Sequence, residues 1–190
     1  MSIAMEEWPR RHRISVADYH RMAEGGVLAP DARVELIEGV IIDMPPMGSR
    51  HAATVSRLNY LVGRAVGDRA IVNCQTPITL GDLSEPQPDL ALVAPRADFY
   101  EHRLPAAADT LLLIEVSETT LRYDLRTKMP LYARHAVPEL WIFDTEGRQL
   151  HVFRNLVGAV YGDVVPAHSP GITPVAALPG VAVDLSSLRG

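Results

Sequence analysis

Apolar residues along this 190-residue chain fall into short runs bounded by turn residues and longer stretches with helical spacing. The first kind reads as strands, the second as helices. Leu36, Ile37, Val40, Ile41 and Ile42, interrupted by Glu38-Gly39 and stopped by Pro45-Pro46, predict a hairpin with a tight turn. Val55, Leu58, Leu61, Val62 and Ala65 recur every three or four residues, so a helix beginning at Ser49 buries one face. Ser15 can cap a short helix that runs to Glu24 and is ended by Gly25-Gly26. Strands are expected at about 70–80, 88–94 and 111–117. A helix then runs from near Met129 to His135, with Pro130 in its first turn. Pro138 to Phe143, Gln149 to Arg154 and Gly158 to Val165 read as a three-stranded meander, and the chain from Pro166, rich in Pro, Ala and Val, is expected to cover a sheet edge.

Two of the strand-like runs carry a carboxylate among apolar residues: Pro-Asp-Leu-Ala-Leu-Val at 88–93 and Leu-Leu-Leu-Ile-Glu-Val-Ser at 111–117. A charge in a buried strand is costly unless something pairs with it. Hard oxygen ligands suit magnesium or manganese, and a cation removes the repulsion between two convergent acids. Asp89 and Glu115 are therefore candidate metal ligands. Lys128 is the only lysine, the other seventeen of the eighteen basic residues being arginine. A compact ammonium can hold or deprotonate a water where a broad, permanently charged guanidinium cannot.

Length suits one domain over 1–190, with an N-terminal arm expected over 1–13. Apolar content of 47% and charged content of 22% are those of a soluble globular protein. No apolar run approaches the roughly 18 residues that would span a membrane, and Glu6, Glu7 and Pro9 before Arg10 and Arg11 lack the order of a secretory signal. The expected location is the cytoplasm. Cys74, the single cysteine, excludes an internal disulfide and a cysteine-based zinc cluster, and is expected to be a buried small residue of a strand. The net charge of −5 argues against strong non-specific binding of nucleic acid. Local basic clusters exist nonetheless, Arg10, Arg11, His12 and Arg13 in one and Arg122, Arg126 and Lys128 in the other. The first reads as a solvated arm. Trp141 reads as core, and Tyr132 as either core or site. No internal repeat, glycine-rich phosphate loop, Ser/His/Asp signature or zinc motif is visible.

Pro-Asp at 88–89, the Glu-Val-Ser strand at 115–117, then Asp124 and Lys128 ahead of a Tyr-Ala segment and Pro-Glu-Leu-Trp-Ile-Phe-Asp at 138–144, resemble the Uma-two-type restriction endonuclease family of bacteria. That family belongs to the PD-(D/E)XK nucleases, and the resemblance runs from about Val34 to about Phe153. It implies an α/β fold, a restriction-endonuclease-like mixed central sheet with flanking helices, and a metal-dependent endonuclease acting on DNA. It also implies that magnesium or manganese is held by Asp89, Glu115, the backbone carbonyl of Val116 and Glu35, while Lys128 orients or deprotonates the attacking water. His51 would contact a phosphate or the metal's water. Read without the resemblance, Glu35 is an edge-strand surface charge and His51 a partly exposed polar residue. Ser117 stands where the superfamily motif places its lysine, and Lys128 would replace it. The acidic charge keeps two other functions open: a non-catalytic protein with the nuclease fold, and a hydrolase of small phosphodiesters. An open sheet with apolar edges leads us to expect a homodimer.

Overall fold

The computed structural model describes residues 11–189. Its centre is a six-stranded sheet built from β3 (Ile71–Cys74), β4 (Leu90–Val93), β5 (Thr110–Ser117), β6 (Leu140–Asp144), β7 (Gln149–Val157) and β8 (Val160–His168), in that spatial order. Every neighbouring pair is antiparallel except β5 and β6. Parallel neighbours need a crossover, which here is a helical segment crossing the sheet. The sheet is therefore mixed, with helices on both faces, as the resemblance implied.

Alternation along the strands sends successive side chains to opposite faces. On one face Leu90, Leu92, Leu112, Ile114 and Val116 pack against Val55, Leu58 and Val62 of α2 (Ser49–Val66). On the other, Ala91, Val93, Leu113 and Ile142 pack against Leu131 and Tyr132 of the crossover. β4 and β5 are thus covered on both sides, which explains their nearly unbroken apolar runs. Glu115 lies in β5 between Ile114 and Val116 and points to the second face, where Tyr132 meets it.

Ahead of the sheet come α1 (Val16–Glu24), capped by Ser15, and the hairpin of β1 (Val34–Ile37) with β2 (Val40–Asp43). Glu38 and Gly39 both adopt positive φ, at 50° and 79°, the conformation a two-residue hairpin turn demands. Arg13 packs against Gly39, where a Cβ would come within 2.5 Å of the arginine side chain. The expected arm lies outside the described residues over 1–10, Arg10 included. Directly after the expected arm, the Ile14 N–H donates to the Gly39 carbonyl.

Four sequence-based expectations change. The strand expected over 70–80 ends at Cys74, because Gln75 takes φ 50° and Pro77 cannot donate to a ladder. Cys74 is exposed rather than buried, lying at the end of an edge strand. The C-terminal chain covers a face, not an edge: Val175, Leu178, Val181, Val183, Leu185 and Leu188 join the α2 layer, and β9 (Ile172–Pro174) pairs with β10 (Ala182–Asp184) there. One helix is too narrow to cover six strands, so the remaining apolar surface draws in this segment.

The helix expected from Met129 starts earlier, as α3 (Leu121–Tyr123), passes through a π turn over Asp124–Lys128 and ends as α4 (Met129–Arg134). Pro130 has no N–H to give a carbonyl four residues back, and its ring crowds that carbonyl. The turn widens, and the Met129 N–H reaches the Asp124 carbonyl five residues behind. Among the described residues no helix is long and apolar enough to cross a membrane.

Candidate active site

Glu115 is 4% exposed, and its Oε1 accepts from the Tyr132 hydroxyl at 2.5 Å and from Lys128 Nζ at 3.2 Å. Lys128, equally buried, also reaches Glu35 Oε2 at 3.1 Å. The β1–β2 hairpin brings that glutamate in from outside the sheet, and the Gln87 N–H donates to the same oxygen at 3.2 Å. One ammonium thus joins two carboxylates from separate parts of the fold. The π turn places it: Lys128 is the last residue of the widened turn and points inward, while Arg122 and Arg126 remain exposed. The expected basic cluster is therefore divided between inside and outside.

Asp89 lies one residue before β4. Beyond Leu90 and Ile114, the last pair of the β4–β5 ladder, the Val116 N–H donates to Asp89 Oδ2 at 2.8 Å. The other oxygen, Oδ1, meets His51 Nε2 at 2.8 Å and Gln75 Nε2 at 3.4 Å. His51 comes from the first turn of α2. Together Glu35, His51, Asp89, Glu115, Val116 and Lys128 line one cleft of about 510 Å³, so all the residues singled out in the sequence meet there.

Burial raises the Glu115 pKa to about 8, with Asp124 and Asp89 adding to the effect and Lys128 opposing it. Burial alone would lower Lys128, but Glu115, Glu35 and Asp124 more than offset that, and the ammonium stays charged beyond the usual lysine range. Hydrogen bonding to Asp89 raises His51 and favours its protonated form. Asp124, buried and raised by that burial, accepts from Ser117 Oγ at 2.7 Å and Thr120 Oγ1 at 2.8 Å. Ser117 thus anchors the π turn that carries the lysine.

The lining offers hard carboxylate oxygens of the kind a divalent cation takes, and a positive charge there would favour the ionised form of Glu115, whose pKa is raised chiefly by burial. Among the described residues, however, no three His, Cys, Asp or Glu side chains are gathered into a cage for an ion. In this arrangement Lys128 is the neutralising charge between Glu35 and Glu115.

Tyr132 is both core and site, being fully buried with its hydroxyl on Glu115. Trp141 is core, with Nε1 on Glu139. Sequence reasoning did not assign Asp124, Gln75, Gln87 or Tyr123 to the cleft. Asp124 had a usable signal, an acid four residues ahead of the only lysine. The two glutamines had none, because their loop carries no periodicity.

No curated protein matches the chain. Among solved structures, a crystal structure from Anabaena variabilis described as "a putative nuclease belonging to DUF820" is similar, with a TM-score of 0.69 and 17% identity. The match covers 93% of this chain and 97% of that one, and at this identity it is a likeness of fold. The family match spans residues 16–186, nearly the whole of the described chain, and by it the protein belongs to the Uma2 family, described as "Putative restriction endonuclease".

Proposed function

We propose that the cleft is the active site of a metal-dependent endonuclease that hydrolyses phosphodiester bonds of DNA. The observation that carries this reading is Lys128, a buried ammonium 3.1 Å from Glu35 and 3.2 Å from Glu115 in a cleft that Asp89 also lines. A buried charge set of this kind is costly to a fold and is commonest where chemistry needs it. Magnesium, or manganese, would be held by Asp89, Glu115, Glu35 and the Val116 carbonyl, and when bound would polarise the phosphoryl oxygen. Lys128 positions the attacking water by donating to its oxygen. An ammonium kept charged by two glutamates is a poor base, so orientation is its part. His51 holds Asp89 by one oxygen while the Val116 N–H holds the other, which fixes the carboxylate in the cleft. The exposed Arg122 and Arg126 lie on the same helical segment as Lys128, where they can follow a phosphate backbone.

A second reading, hydrolysis of small phosphodiesters, is favoured by the net charge of −5 and by a cleft of only about 510 Å³. One experiment separates the readings: incubation with plasmid DNA and with a chromogenic phosphodiester, each with magnesium, manganese or EDTA. Plasmid cleavage that needs the cation and is lost in Asp89→Asn and Lys128→Ala is the expected result. Cleavage of the chromogenic ester alone favours the second reading. Cleavage of neither means a protein that keeps the fold without the reaction. A homodimer in the cytoplasm completes the proposal, and an exposed free Cys74 suits a reducing compartment.

A further inference from the structure

Tyr123 closes α3, immediately before the π turn, and lines the cleft. Its side chain is half-buried, but the hydroxyl oxygen is fully buried and has no hydrogen-bond partner among the described residues. Leaving a buried hydroxyl unbonded is costly, so such a group calls for a reason. The charges that act on it are those of the site: Glu35, Lys128, Asp124 and Glu115. Burial, with Glu35 next, raises its pKa far above the tyrosine range, so the hydroxyl keeps its proton and serves as a donor.

The other buried or half-buried side-chain donors of the lining are engaged. Lys128 is on Glu35 and Glu115, His51 and Gln75 are on Asp89, Gln87 is on the Gln75 carbonyl, and Thr120 is on Asp124. A phosphodiester entering the cleft carries a negative charge on its non-bridging oxygens and meets acids on several sides. Tyr123 supplies a side-chain donor that no protein group among the described residues uses.

Resting on the nuclease reading above, we propose that the Tyr123 hydroxyl donates to a non-bridging oxygen of the substrate phosphoryl group, making it a substrate-contacting catalytic residue. Charge on that oxygen grows as the water attacks, so the bond strengthens toward the transition state.

Tyr123→Phe removes only the hydroxyl, and three measurements on it and on wild type decide the matter. The first is the melting temperature without ligand, expected to be unchanged or higher because no protein bond is lost. The second is the affinity for a short DNA duplex with calcium in place of magnesium, read by fluorescence anisotropy, expected to weaken about two- to tenfold, as for loss of one hydrogen bond. The third is the cleavage rate with magnesium, expected to fall about 100-fold and mainly in kcat, by comparison with loss of one oxyanion donor. Unchanged affinity together with unchanged kcat would overturn the proposal. A lowered melting temperature that accounts for the loss of function would also overturn it, because the hydroxyl would then belong to the fold. If wild type cuts no DNA, the nuclease reading fails, but the duplex affinities still decide whether Tyr123 touches phosphate: weaker binding by the variant supports it, while equal binding or no binding by either protein overturns it.

Discussion

Lys128 and Glu115 illustrate how single residues carry the reading. If Lys128 positions the water through a compact ammonium, Lys128→Arg should lose nearly as much activity as Lys128→Ala, since the broad guanidinium cannot occupy the same place. The expected loss is about 100- to 1,000-fold in cleavage rate for both. An active Lys128→Arg would reduce the residue to a phosphate attractor, and an active Lys128→Ala would remove it from the site. For Glu115 the pH dependence has a definite sign. Its pKa of about 8 in the folded protein lies above the ordinary 4.5, so between these values the folded chain holds more protons than the unfolded one. The associated stability is full below about pH 4.5 and is lost as the pH rises through about 8. Urea midpoints of the metal-free protein should therefore fall across this window, with a shallower fall in Glu115→Gln. An equal slope in the variant would show that other groups set the pH dependence.

At the scale of elements, the π turn over Asp124–Lys128 connects a proline to the site. Asp124 holds this turn to β5 and the following loop through Ser117 and Thr120. Asp124→Ala leaves both hydroxyls without that acceptor and should destabilise the protein by roughly 2–3 kcal/mol. Asp124→Asn keeps an acceptor oxygen and should cost clearly less. Urea denaturation measures both, and equal costs would mean that the charge, rather than the acceptor, holds the turn. Since the turn also carries Lys128, Asp124→Ala should lose cleavage activity even under conditions where it is folded.

On the scale of the whole molecule, Glu35, Asp89, Glu115 and Asp124 gather four buried acids in one cleft. Magnesium should raise the melting temperature of wild type and shift Asp89→Asn much less, because only a cation that favours the folded state stabilises it. Equal shifts in both proteins would place the ion elsewhere. β8 is a nine-residue strand at one edge of the sheet, and Val160 and Val164 on it are exposed, as is Val157 at the end of β7. Such an edge invites pairing, and a homodimer is the expected state. Light scattering at low micromolar concentration that shows only 20.8 kDa particles would refute it.

Much of this organisation was legible in the sequence. Apolar periodicity marked α2, β5 and the β6–β8 meander, because a strand or helix buried on a known face must repeat its apolar residues with its own period. Costly groups in apolar surroundings marked Asp89 and Glu115, and rarity marked Lys128. Loops and half-buried polar residues leave no such trace. Cys74 reads as a buried strand residue, yet where a short edge strand stops is decided by the φ of Gln75 and by neighbours far along the chain. The C-terminal segment is apolar enough for an edge or a face, and the surface that α2 leaves uncovered selects the face. Pro130 alone suggests a helix start, whereas the helix begins earlier and widens ahead of the proline, where Asp124 is held to β5 by Ser117. Local pattern determines which residues must be buried; only the packed chain determines what each buried polar group meets, because those partners come from elements distant in sequence, as Glu35 does for Lys128.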